Sequence, residues 1–231
     1  MAYTIIATWD FRGADSAATK RASRIGSFTL SENGTPTYNT DGVTFDAAGE
    51  GLSIPSVGAG LRPTEPFWCM ISFRRLGVAG ADYSNYAGWA ANNVVAAPFV
   101  VHQINADNSG NVRYLINSAG TFTAAAATPA LANNTDVAYT FVKRSTTADL
   151  YDGSTSIASI TSVSAVTYYA TSEFGIGDMA GLGRNSNMRA NWLIVGTGDI
   201  TTGEMTTIQG APNTYLYPSA TTFFRPYFIT G

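Results

Sequence analysis

The chain has 231 residues of which only 13% are charged, with 13 Lys and Arg against 16 Asp and Glu and a formal net charge of −3. That balance excludes a surface built to track phosphates, which needs many converging cations, so nucleic acid is not an expected partner. One cysteine, Cys69, and one histidine, His102, exclude an intrachain disulfide and a histidine-rich metal centre.

The opening residues, MAYTIIATWDF, lack the basic start and apolar core of a secretory leader and read as a first strand, so synthesis in a cytoplasm without a signal peptide is expected. Compact apolar or alternating segments follow, separated by turn residues: GSFTLSE, GVTFDAA, GLSIP, FWCMISFRRL, NYAGWA, PFVVHQIN, NVRYLIN, VAYTFVKR, ADLYD, TSIASI, FGIG and ANWLIVG. Cys69, inside PFWCMISF, reads as a small buried hydrophobe. The basic pairs Lys20-Arg21, Arg74-Arg75 and Lys143-Arg144 read as solvated strand edges. The most apolar run, VVAAPFVV from Val94 to Val101, is far short of the roughly 20 residues of a spanning helix, and no membrane insertion is expected.

His102 has no Gly-x-Ser-x-Gly nucleophile elbow to serve and is expected to be a strand residue. TFTAAAATPALANNTD, with the weakest pattern, is expected to be a strand end and an exposed loop. In TADLYDGSTSIAS the Asp152-Gly153 pair predicts a hairpin turn, and Asp152 has no neighbouring carboxylates with which to hold calcium. GIGDMA matches a dinucleotide fingerprint formally, but a polar loop and a further strand follow it where the fingerprint needs a helix. Near the C-terminus, Thr201 and Glu204 form a capping box and Gly210 offers a stop, which predicts one short helix over 201–209. Beyond it, residues 211–231 carry Tyr215, Tyr217, Phe223, Phe224, Tyr227 and Phe228 between prolines, and read as a docking tail to a 1–210 domain.

The predicted class is all-β, a two-sheet antiparallel jelly-roll sandwich with that one helix. The ordered set TWDF, VTFDAAGEGLSIP, FWCMISFRR, VAYTFVKRSTTADLYDGSTSIAS and FGIGDMAGLGRNSNMRANWLIVGTGDITTGEM resembles the concanavalin A-like, laminin-G-like jelly roll over residues 1–209. The chain departs from that family's pattern where Asp152-Gly153 follows Tyr151 directly. It departs again where Ala190, Asn191 and Trp192 replace the acidic pair common at the start of the late strand.

The resemblance implies loops that bind sugar hydroxyls and stack aromatic rings on pyranose faces. The matching candidates are Asp82, Tyr83, Asn85, Tyr86 and Trp89 in ADYSNYAGW, with Arg184, Asn185 and Asn187 in GRNSN, although aromatic strand residues are more often packed in the sandwich and asparagines more often serve turns. Glycoside hydrolases of this fold present Glu-x-Asp-x-x-Glu on one strand, a spacing absent here; Asp46, Glu50, Asp82, Asp107 and Glu173 are scattered carboxylates with no marked pair. No catalytic residue, metal or cofactor is expected. The low-charge composition, rich in Ala, Thr, Gly and Asn, resembles that of bacteriophage structural proteins. The leading expectation is therefore a virion structural protein, a capsid decoration protein docked on other virion proteins of capsid or tail and homo-oligomeric. The alternatives are a tail or fibre module that binds host-surface glycan, and a polysaccharide hydrolase.

Overall fold

Runs of alternating apolar residues fold as two stacked antiparallel sheets in a computed structural model that describes residues 3–55, 58–77, 84–91, 100–106, 111–118, 121–126, 131–163, 165–166, 168, 172–178 and 186–217. In chain order the strands are β1 (Thr4–Asp10), β2 (Ser31–Asn33), β3 (Thr37–Asn39), β4 (Gly42–Phe45), β5 (Gly51–Ile54), β6 (Phe67–Arg75), β7 (Ser84–Ala91) and β8 (Val100–Ala106). They continue as β9 (Val112–Ser118), β10 (Thr121–Ala126), β11 (Asp136–Lys143), β12 (Thr147–Asp152), β13 (Thr155–Thr161), β14 (Ser172–Gly177) and β15 (Met188–Thr197). Three short helices accompany them, α1 (Ala17–Arg21), α2 (Thr202–Gly210) and α3 (Pro212–Leu216).

The larger sheet runs β13-β12-β11-β6-β15-β4-β3, and the smaller β10-β9-β8-β7-β14-β5-β2. β1 lies end to end with β4 along one edge of β15, because Asp10 pairs with Trp192 while Thr44 pairs with Arg189. Side chains alternate across each sheet, so every second residue enters the sandwich. Phe67, Cys69, Ile71 and Phe73 of β6 and Leu193 and Val195 of β15 meet Tyr86 and Trp89 of β7 and Phe174 and Ile176 of β14 in one core. Each such large side chain contributes about 1.5–3 kcal/mol on burial, which is what holds the two layers together. Burial also pushes the Cys69 thiol well above its usual range, leaving it an inert packing group.

The intervening residues face outward, and on the larger sheet part of that outer face is apolar too. Trp68, Met70, Val142, Trp192 and Ile194 form a second cluster, closed by Ile200, Met205, Ile208 and Leu216 from the chain after β15. Gly196 makes this packing possible: a Cβ there would stand 2.2 Å from the Trp68 ring. The predicted capping box is present in full, the Thr201 hydroxyl accepting from the Glu204 N–H while the Glu204 carboxylate accepts from the Thr201 N–H. Packing does not stop at Gly210. α3 follows at once and buries Leu216 on the same face, so the chain through 216 belongs to the sandwich.

Several local expectations change. Thr37–Asn39 and Thr121–Ala126 are full strands, held by cross-strand pairing where the apolar pattern is faint. The β12-β13 turn is Gly153-Ser154, one residue on from Asp152-Gly153; Asp152 pairs with Thr155 and Gly153 takes the positive φ of 60°. The three basic pairs are not uniformly solvated: strand alternation sends Arg75 and Lys143 inward, and Lys20 of helix α1 is buried with its Nζ donating to the Asn39 carbonyl. Lys143 Nζ is paired with Glu65 at 3.0 Å, and Arg75 Nη1 donates to the Leu131 carbonyl at 2.6 Å. Among the described residues no helix is long and apolar enough to cross a membrane.

Candidate functional site

The outer face of the larger sheet changes character along its strands. In β6 the outward series is Trp68, Met70, Ser72, Arg74; in β11, read in the antiparallel sense, it is Val142, Thr140, Ala138, Asp136. In β15 the outward residues pass from Ile194 and Trp192 to Asn191 and Arg189, with Arg189 set beside Arg74. A bulge lies between Ala190 and Trp192, so Asn191 is the extra residue in the ladder and stands beside Trp192 over Ser72. A bulge re-aims a side chain that regular alternation would place elsewhere. Here the re-aimed group is a carboxamide.

Asp136 is the hub of the polar end. It accepts from both Nε and Nη2 of Arg74. The same carboxylate takes the Asn191 amide at 3.2 Å and Arg189 Nη2 at 3.5 Å. The Arg74 hydrogen bonds, helped by Asn191 and Arg189, hold the Asp136 carboxyl below the usual carboxylate range. Arg189 Nη1 reaches Asp41 at 3.2 Å. Asn191 is only 8% exposed, and while its amide is shared between Ser72 and Asp136, its Oδ1 is buried with no partner among the described residues. Arg12, Thr40, Asp41, Arg74, Asp136, Arg189 and Asn191 together line a cleft of about 370 Å³.

A second cleft of about 380 Å³ adjoins the first at Arg12, and is lined also by Asp10, Asp15, Asn213 and Tyr217. Arg12 is gripped by Asp10 through Nε at 2.8 Å and Nη2 at 2.9 Å, and its Nη2 also donates to Asn213 Oδ1 of α3 at 2.7 Å. Burial works to raise the Asp10 carboxyl, yet the Arg12 bonds and the Tyr217 hydroxyl bring it below its ordinary value. Tyr217 is the large exposed side chain of this region, at 48%, with the Arg24 guanidinium 5.2 Å from its ring centroid.

The residues singled out from sequence fall elsewhere. Tyr86 and Trp89 are fully buried: Tyr86 stacks on Phe73, and Trp89 donates from Nε1 to the Leu61 carbonyl at 2.8 Å among Phe67, Phe141 and Phe174. They are core rings, with no face to offer a sugar. Asn187 is half-buried at the start of β15 with a φ of 42°, its carbonyl taking the Leu76 N–H. Asn85 stands in β7, its side chain outside the described residues, as are Asp82, Tyr83, Arg184 and Asn185. Of the six tail aromatics, Tyr215 packs on the second cluster of its own chain and Tyr217 borders the cleft, while Phe223, Phe224, Tyr227 and Phe228 lie outside the described residues. Among the scattered carboxylates, Glu50 is spent on the backbone N–H groups of Asp46 and Ala47 at 2.8 and 2.9 Å, and Glu173 is buried in β14. Asp82 and Asp107 lie outside the described residues. The cleft residues were missed because Arg74 was read as half of an edge pair and Asp136 as the end of a loop. The one signal that touched them was the substitution of Asn191 for an acidic residue expected there.

No protein-family model matches the chain, and no curated protein matches it. Solved structures match in fold. Trypanosoma rangeli sialidase aligns with a TM-score of 0.64 at 12% identity over 88% of this chain and 32% of its own, so the chain spans about a third of the sialidases it matches. Domain 4 of AbnA, a GH43 extracellular arabinanase from Geobacillus stearothermophilus in complex with arabinotriose, aligns with a TM-score of 0.63 at 15% identity over 90% of this chain and 99% of that domain. An HCR/D mutant aligns with a TM-score of 0.66 at 10% identity over 90% of this chain and 52% of its own. At such identities the likeness is one of β-sandwich fold.

Proposed function

We propose that this chain is a non-catalytic carbohydrate-binding sandwich of the concanavalin A-like kind, and that the cleft around Asp136 is where sugar hydroxyls are held. One observation carries the reading: a largely apolar sheet face gives way to Arg74, Arg189, Asp41, Asp136 and Asn191, fixed to one another, and with Arg12 they line open space of about 370 Å³. Arginine offers five N–H donors and an ionised carboxylate about four acceptor sites, so groups already paired keep bonds free for adjacent hydroxyls, without ordering floppy side chains on binding. The arabinotriose complex of a domain of matching extent supports the choice of ligand class. The Asp10 and Asp136 carboxyls both lie below the ordinary carboxylate range, so neither cleft presents the raised carboxyl of a glycosidase acid. The test is calorimetric titration with a panel of soluble polysaccharides. Arg74→Ala and Asp136→Ala should each weaken binding about tenfold with the fold intact by circular dichroism. Unchanged affinity in both, or release of shorter products from the polysaccharide, defeats the reading.

A second reading concerns where the module works. A chain with only 13% charged residues suits a protein packed into an assembly, and on that composition we retain the virion structural protein, either capsid decoration or a tail component. Its docking segment begins after Tyr217, since α3 is already part of the sandwich. A chain truncated after Tyr217 should fold as before and lose association with virus particles and with its own copies; particle binding equal to that of the full chain removes the segment from this role.

A further inference from the structure

Resting on the carbohydrate reading, we propose that the two clefts form a single groove with at least two sugar subsites joined over Arg12, selective for neutral oligosaccharides. Three features fix this geometry. First, the clefts share Arg12, and the chain beside it is tied across the junction, Gly13 N–H donating to the Thr40 carbonyl at 2.7 Å. Each cleft alone is at the lower end of the ~300–1,000 Å³ range of ligand sites, and joined they reach its middle.

Second, the two ends differ in chemistry. The Asp136 end is all planar hydrogen-bonding groups, Arg74, Arg189 and Asn191, and suits hydroxyls. The other end carries Tyr217, an exposed ring with the Arg24 guanidinium 5.2 Å from its centroid, beside Asp10, Asp15 and Asn213. A ring so placed is a platform for the C–H face of a second sugar unit. The platform is positioned by the Arg12 to Asn213 bond at 2.7 Å, which clips α3 to the end of β1.

Third, the charges cancel locally. Arg12 is paired with Asp10, Arg24 with Asp15 at 2.6 Å, Arg74 with Asp136, and Arg189 with Asp41 and Asp136. Among the described residues a uronate entering the groove would find each guanidinium already opposed and would meet four aspartates. A neutral chain of hydroxyls uses the donors and acceptors these pairs leave over.

The experiment is titration of the full chain with arabino-, xylo- and gluco-oligosaccharides of one to six units and with galacturonate oligomers of the same lengths. Affinity should rise steeply from one unit to two or three and then level. Tyr217→Ala should weaken the longer ligands about tenfold and leave the single sugar within about twofold, while Tyr217→Phe, which keeps the ring, should retain most of the length dependence. Arg74→Ala should weaken every length. Binding that does not grow with length, or equal loss at all lengths in Tyr217→Ala, overturns the two-subsite groove and leaves the carbohydrate reading standing. Preference for galacturonate overturns the neutral selectivity. Absence of binding by every oligosaccharide, and by the polysaccharides, overturns both readings together.

Discussion

The two halves of the larger sheet's outer face are built on the same three strands and come to opposite ends. At one end Trp68, Met70, Val142 and Ile194 are sealed by α2 and α3; some three residue pairs further along, Arg74, Asp136, Arg189 and Asn191 stand around a cleft. The sealed half shows what an exposed apolar sheet face requires, namely a lid from the same chain. In the open half Arg74, Asp136, Arg189 and Asn191 bond largely to one another, so this end of the face carries no helical lid.

The comparison breaks most severely at Trp68. Trp68→Ala removes the ring under the helical cover and should cost about 3–5 kcal/mol in urea unfolding, whereas Arg74→Ala, three turns of the pleat along the same strand face, should leave the unfolding midpoint nearly unchanged. Leu216→Ala comes next, at about 2–4 kcal/mol. Because Asn213 of α3 holds Arg12, the same variant should also blunt binding at the Tyr217 end, which separates the role of the lid from that of the strands. Thr201→Ala, which deletes the helix cap, should cost about 1 kcal/mol and speed amide exchange in α2 without touching the cleft.

The smallest effect sharpens the open half. Since the folded state depresses the Asp136 carboxyl, its contribution is fully present above the ordinary carboxylate value near pH ~3.9 and is lost as the pH falls through the lower folded value. Asp136→Asn should lower stability near neutral pH by up to about 1 kcal/mol, the pair being partly exposed, and the gap to the parent chain should close as the pH falls through the folded value, so that the acid limb is flatter. An acid limb identical in the two proteins would show the Arg74 pair contributes nothing measurable.

Much of the fold was legible because its causes are local. FWCMISF and NWLIVG alternate with a period of two, Thr201 and Glu204 sit at capping-box spacing, and Gly153 can take the positive φ of a tight turn; each needs only its neighbours in the chain. Where the pattern was faint, as in Thr37–Asn39 and Thr121–Ala126, pairing partners made the strand. Aromatic residues in ADYSNYAGW read first as strand residues packed in the sandwich, and Tyr86 and Trp89 are core; which face each takes still waited on the register.

What the sequence by itself determined is an all-β chain of low charge with one capped helix after its last strand, because periodicity, capping and composition are properties of contiguous residues. Only the tertiary structure decided which member of each basic pair is buried, that Pro212–Leu216 returns as part of a lid, and that Arg12, Arg74, Asp136, Arg189 and Asn191 meet. They come from four separate stretches of chain, and what joins them is cross-strand register with a one-residue bulge at Asn191, a geometric offset that leaves no mark in the order of the amino acids.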